Sequence, residues 1–137
     1  MTVSEHNLEI GNELPELSLG TVDRATLALF AGASGDHNPM HIDIDVAKSA
    51  GLPDVFAHGM LSMAYLGRLL TGWVDPRSIR SYGVRFAAIT PVHAQPTARA
   101  RITAIDTVDG ERRVSLALSV TLSDGTETLS GDAVVAL

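Results

Sequence analysis

Cysteine is absent from the 137 residues. Disulfides, thiolate metal sites and cysteine nucleophiles are therefore excluded. Lysine is nearly absent: Lys48 is the only one, and the other nine basic residues are arginine. Acidic residues outnumber basic ones by 16 to 10, for a formal net charge of -6. Such a chain lacks the basic surface that phosphate backbones and anionic lipids attract, so neither nucleic acid nor a membrane is an expected partner. Aromatics make up 4%, which leaves the core to Ala, Val, Leu, Ile and Met. The longest apolar stretch, around 60–70, is interrupted by Ser62, Gly67 and Arg68. It falls short of the roughly 20 residues of a membrane span. The first ten residues carry neither a basic cluster nor an apolar run, unlike a signal peptide. A cytoplasmic location is the expectation.

What is present suits one domain over residues 1–137. Hydrophobic residues reach 45% and charged residues 19%, enough apolar surface for a core rather than a disordered chain. The C-terminal half reads as strands. Across 112–122, Val114, Leu116, Leu118, Val120 and Leu122 alternate with Arg113, Ser115, Ala117, Ser119 and Thr121, the period of a half-buried strand. Ala98, Ala100 and Ile102 alternate with Arg99, Arg101 and Thr103 just before it. Asp109-Gly110 between the two is a type I′ hairpin signal. Asp124-Gly125 leads to a further strand over 127–137, and an earlier one runs over 79–88. The expectation is at least four strands in a mostly antiparallel meander.

The first half reads as helices. Asp23 can cap a helix over 24–33, with Leu27, Phe30 and Ala31 facing a core. Asp45 can cap a short helix over 46–50, ended by Gly51 and Pro53. A third helix over 59–71 is apolar on most of its surface, as a buried helix is. A sheet that wraps it is the natural partner, which makes the fold class α+β. Gly131 and Ala133 on the last strand are small enough for close approach of that helix. Tyr65 and Trp73 fit core or interface roles, and His6 and His93 fit the surface.

The densest polar cluster is Ser34-Gly35-Asp36-His37-Asn38-Pro39-Met40-His41-Ile42-Asp43. It lies between two helices, and Pro39 pushes Asn38 into an extended conformation. A loop carrying carboxylate, amide and imidazole suits a catalytic platform. The same residue types also form ordinary turns and caps. The second segment is Phe56-Ala57-His58-Gly59-Met60, which opens the buried helix. Free N–H groups there suit an oxyanion, although Gly59 also fits a plain packing role. His37 and His41 have the four-residue spacing of helical zinc ligands, but Pro39 between them opposes a continuous helix. No metal and no cofactor is expected.

Taken together, Ser34–His41 and Ala57-His58-Gly59-Met60-Leu61 closely resemble the hydratase-2 motif and the helix entry of MaoC-like (R)-specific enoyl-thioester hydratases and (3R)-hydroxyacyl-thioester dehydratases. Tyr82-Gly83-Val84-Arg85-Phe86 extends the likeness, which covers nearly the whole chain. The resemblance implies a hotdog fold, an antiparallel sheet wrapped round a long helix. It implies a homodimer or a heterodimer with a second hotdog protein. It implies Asp36 and His41 as the catalytic pair, Asn38 as support for the loop, and the Gly59 backbone N–H as the donor to the thioester carbonyl. His37 occupies a variable position of the motif and takes no role.

The implied reaction is reversible hydration of trans-2-enoyl thioesters of CoA or acyl carrier protein to (3R)-3-hydroxyacyl thioesters, in fatty-acid metabolism. Its chemistry suits the residues. Water addition places negative charge on the thioester oxygen, which a fixed N–H can stabilise. A carboxylate and an imidazole sharing one water can take its proton and return one to the α-carbon. The rival readings are a hotdog acyl-CoA thioesterase and a hotdog subunit that acts mainly by pairing with a second one. Arg77, Arg80, Arg85 and Arg99 are available for phosphates or for plain surface solvation.

Overall fold

The computed structural model describes residues 8–137; His6 lies outside them. Its sheet has five strands: β1 (Leu17–Ser18), β2 (Ile79–Phe86), β3 (Thr97–Val108), β4 (Glu111–Thr121) and β5 (Glu127–Ala136). All neighbours are antiparallel, in the order β1-β3-β4-β5-β2. Three helices precede most of it: α1 (Arg24–Ser34), α2 (Ile44–Ser49) and α3 (Gly59–Thr71). The α+β hotdog arrangement is present, with α3 packed against one sheet face.

The period-2 pattern does what it requires. Val114, Leu116, Leu118 and Val120 are all buried on one face of β4, and the alternate residues are half-buried on the other. Ala98, Ala100 and Ile102 of β3 face the same core, as do Leu66, Leu69 and Leu70 of α3. Burying each such leucine contributes about 1.5–3 kcal/mol. Asp109 and Gly110 both have positive φ, 53° and 76°, as a type I′ turn demands. Val108 then pairs directly with Glu111.

Four expectations need correction. The strands are not a simple meander, because β2 crosses to the far side and pairs with β5 rather than β3; local periodicity carries no information about that partner. The second helix is capped by Asp43, not Asp45: the Asp43 carboxylate accepts from Asp45 N and Val46 N. Asp45 instead sits in the first turn, where the helix dipole favours it. The third helix has the expected bounds but is not buried all round. Met60 is 57% exposed and Ala64 and Arg68 are also at the surface. Finally, Gly131 serves strand against strand. A Cβ there would collide with the Gly83 carbonyl oxygen of β2, whereas Ala133 does pack in the helix-facing core.

A second apolar cluster lies beneath α1 and α2. It unites Val22, Leu27, Ala47, Val55, Ala57 and Leu61. The segment between α1 and α3 is thus anchored on both sides of its polar loop. Among the described residues no helix is long and apolar enough to cross a membrane.

Candidate active site

The polar loop begins where α1 ends. Gly35 takes a left-handed φ of 76° and returns its N–H to Ala31 O, a C-terminal turn that glycine makes without a Cβ penalty. Short-range bonds then shape the loop. Asp36 N donates to Ser34 Oγ at 3.2 Å, Asn38 N to Asp36 Oδ1 at 3.2 Å, and Met40 N to Asn38 Oδ1 at 3.1 Å. Asn38 is extended, as Pro39 dictates, and a single 3₁₀ turn over Pro39–His41 follows. The turn-forming chemistry and the platform are the same residues.

His41 is buried at 7% exposure while Asp36 stays at the surface. Their nearest atoms, His41 Nε2 and Asp36 Oδ2, are 3.8 Å apart. The other His41 nitrogen is fixed: Nδ1 lies 2.8 Å from Phe56 O. A carbonyl only accepts, so Nδ1 carries a hydrogen, and in the neutral form of the ring the Nε2 lone pair is turned toward Asp36. Phe56 also meets the ring edge-on, with centroids 4.8 Å apart. The segment that presents Phe56 is tied to α1 by Arg24, whose guanidinium donates twice to Asp54 at 2.8 and 2.6 Å. Arg24 holds the Asp54 carboxyl below its usual range.

Gly59 is the first residue of α3, and its N–H makes no hydrogen bond among the described residues. Its φ is not left-handed, so conformational freedom does not explain the glycine. Space does: a Cβ would come within 2.9 Å of Phe86 Cδ1. Phe86 closes one side of a cavity of about 330 Å³ whose lining includes Phe56, Gly59, Ser62, Ile89 and Leu129. The cavity is largely apolar, and the Gly59 amide and the buried Ser62 and Thr90 hydroxyls are its polar points. Phe56 lines it on one side and packs on His41 with the other. An apolar tail can therefore lie in the cavity with its polar head beside Asp36 and His41.

Asp36, Asn38 and His41 thus share one loop, and Gly59 follows His58, whose ring stacks on His41. His37 is exposed and outside it, and His93 is a surface turn residue with φ 71°. Of the four arginines, Arg77, Arg80 and Arg99 are paired with Asp75, Glu111 and Glu16. Arg85 has no ion-pair partner among the described residues. Two contributors escape sequence reasoning. The Phe56 carbonyl acts through its backbone, which no residue type signals. Phe86 arrives from a strand whose position depends on tertiary pairing.

His58 also joins the site. Asp36, His41 and His58 offer ligand atoms within 4.8 Å of one another. The two imidazoles, however, are stacked, with centroids 3.9 Å apart and planes at 27°. Near-parallel rings cannot both aim an in-plane lone pair at one ion. A metal would require one ring to turn and to break its backbone hydrogen bond.

The family model of the MaoC like domain matches residues 8–125. The chain is a member of that family. This MaoC-like chain is 31% identical over 117 residues to the (R)-specific enoyl-CoA hydratase of Rhodospirillum rubrum, covering 84% of the chain and 79% of that protein. It is 27% identical over 118 residues to 3-hydroxyacyl-thioester dehydratase Z of Mycobacterium tuberculosis, covering 82% and 78%. Among solved structures it resembles the (R)-hydratase of A. caviae involved in PHA biosynthesis, with a TM-score of 0.80 and 27% identity over 95% of the chain and 97% of that one. The MaoC-like chain spans only 5% of one much longer relative, the fatty acid synthase subunit beta of Saccharomyces cerevisiae.

Proposed function

We infer that this protein is a hydro-lyase that interconverts trans-2-enoyl thioesters and (3R)-3-hydroxyacyl thioesters in fatty-acid metabolism. One observation carries the mechanism: the Asp36 carboxylate and His41 Nε2 lie 3.8 Å apart, and the ring stacked on His41 belongs to His58, the residue just before Gly59 at the start of α3. Two acceptors at that distance hold one water between them. In hydration the water oxygen bonds to C3 of the enoyl group, and an O–H bond breaks. Its proton passes to the Asp36–His41 pair, and a proton from the pair forms the new bond to C2 on the same face. Meanwhile electron density moves onto the thioester oxygen, which the Gly59 N–H stabilises. Removing such a donor typically costs about 10²–10³ in rate. Dehydration is the same path reversed. Asn38 keeps the carboxylate in place by holding the turn that follows it.

A dimer completes this reading. Among the described residues β2 is an outer strand with no strand on its second edge over Ile79–Phe86, and unpaired edges invite a second strand. Phe86 and Ile89 stand beside that edge at 52% and 51% exposure. A second hotdog chain, the same or different, pairs there. Either CoA or acyl carrier protein can carry the acyl group.

The test is an assay on crotonyl-CoA and longer enoyl-CoAs, with chiral analysis of the product. Loss of the enoyl absorbance with an (R) alcohol supports the reading. Release of free thiol without hydration supports the thioesterase instead. Activity that appears only with a second hotdog protein makes the chain a pairing subunit.

A further inference from the structure

His58 is 1% exposed, and the reaction as described does not use it. It precedes α3 yet gives that helix no side-chain cap. Instead its Nε2 lies 3.1 Å from the backbone oxygen of Asp36. The carbonyl accepts, so Nε2 is the nitrogen that carries hydrogen. The other nitrogen, Nδ1, is buried with no hydrogen-bond partner among the described residues. One face of the ring stacks on His41 at 3.9 Å, and Phe30 of α1 meets the ring edge-on at 4.9 Å. A buried polar atom without a partner is costly, so an imidazole kept here is explained by what its other nitrogen and its faces do.

We propose that His58 is a positioning residue for the Asp36–His41 pair, held as the neutral Nε2–H tautomer. The inference rests on the reading of Asp36 and His41 as the reacting groups. The Nε2–H anchors the backbone of Asp36 to the start of α3. The ring face fixes the plane of His41, whose far nitrogen is already tied to Phe56. Because His58 and Gly59 are consecutive, the same tie sets the carboxylate in register with the amide that receives the thioester oxygen. A displacement of about 1 Å in such a register can cost about 10² in rate.

Neutrality matters to this role. A second proton would sit on Nδ1, buried and without an acceptor, against a ring that must itself accept and release a proton. Burial is the main influence and depresses the basicity of His58; its hydrogen bond to Asp36 O acts the other way, the His41 ring depresses it further, and the Asp36 charge raises it. These are the titratable groups that face it, since its neighbour on α1 is Phe30. The stacked partner therefore stays uncharged while His41 cycles.

Two variants of the full chain separate the two functions of the side chain. His58→Phe keeps a ring and discards the donor; His58→Gln keeps a donor near Nε2 and discards the ring. The expected result is kcat lowered about 10–10²-fold in His58→Phe, with KM for crotonyl-CoA within twofold, and partial recovery of kcat in His58→Gln. ¹⁵N NMR of the wild-type imidazoles should find His58 as the neutral Nε2–H form at pH 7, with Nδ1 bare. Wild-type kcat in folded His58→Phe, no recovery in His58→Gln, or a His58 ring protonated on both nitrogens at pH 7 overturns the proposal. If His58→Phe fails to fold, His58→Gln and the wild-type spectra decide. Asp36→Asn is the control: if it retains full activity, the catalytic reading beneath falls, and if it is inactive while His58→Phe is normal, only the positioning role falls.

Discussion

The molecule has two cores of different construction. The sheet core, with β3, β4 and β5 against α3, is apolar and repetitive, built from alternating Val, Leu, Ile and Ala. The smaller core under α1 and α2 carries a polar loop on top of it, and two imidazoles stack beside that loop. In the first, each residue is replaceable by another of similar volume. In the second, each named atom has one partner: His41 Nδ1 has Phe56 O, His58 Nε2 has Asp36 O, and Asn38 Oδ1 has Met40 N. The sheet supplies stability with broad tolerance, and the loop supplies geometry with little. Substitutions in the two regions should therefore separate melting temperature from turnover.

The largest separation is expected within the pair itself. His41→Ala should lower kcat by about 10²–10⁴, the span of a general acid–base group. Combining it with Asp36→Asn should be scarcely worse than either alone, as for residues that act on one water. Steady-state kinetics on the three variants checks this. Additive losses would mean that the two groups act on separate steps.

The reverse pattern belongs to the sheet. Leu116→Ala empties space in a fully buried position of β4 and should cost about 2–5 kcal/mol, read by urea unfolding. Turnover per folded molecule should stay near wild type at low temperature. Gly131→Ala blurs the division. Its Cβ presses on the Gly83 carbonyl and on Val84 Cα of β2, and overpacking of this kind costs about 1–3 kcal/mol. Since β2 carries Phe86, a rise in KM should accompany the loss of stability. An unchanged KM would place β2 outside the acyl site.

The smallest effect lies at the far rim of the sheet. Arg80 and then Arg113 hold the Glu111 carboxyl down to about 2. A depressed folded-state value adds stability above the unfolded value of about 4.5, lost as pH falls toward about 2. Glu111→Gln should therefore melt slightly below wild type at pH 7, with the gap closing between about pH 4.5 and pH 2. Activity at pH 7 should not change. Parallel melting curves at all pH values would remove the pair from the stability account.

Legibility in the sequence follows the same division. Regular alternation disclosed β4 and the inner face of β3, because a period of two requires only the local chain. The bounds of α3 were readable from Gly59 and the apolar run behind it. The place of β2 beside β5 was not readable, since pairing is a long-range choice that leaves no local mark. The two-residue β1 is too short for any period. Asp36, Asn38, His41 and Gly59 are legible only through the resemblance of their two segments to a known family's motif, because composition alone reads them equally well as turn and cap residues. The contribution of the Phe56 carbonyl was not legible, because a backbone oxygen has no residue type. His58 was visible as a residue but not as the ring stacked on His41.

On the proposed reading the Asp36–His41 loop carries the chemistry and contributes little to stability. The most direct test is kcat and melting temperature measured together on Asp36→Asn, with an enoyl-CoA as substrate. Asparagine keeps the size and the oxygen that accepts from Asn38 N, and it removes the base. The expected result is a melting temperature within a few degrees of wild type and kcat reduced by about 10²–10⁴. Near-wild-type turnover in the folded variant, or a loss of activity recovered merely by assaying at lower temperature, would contradict it.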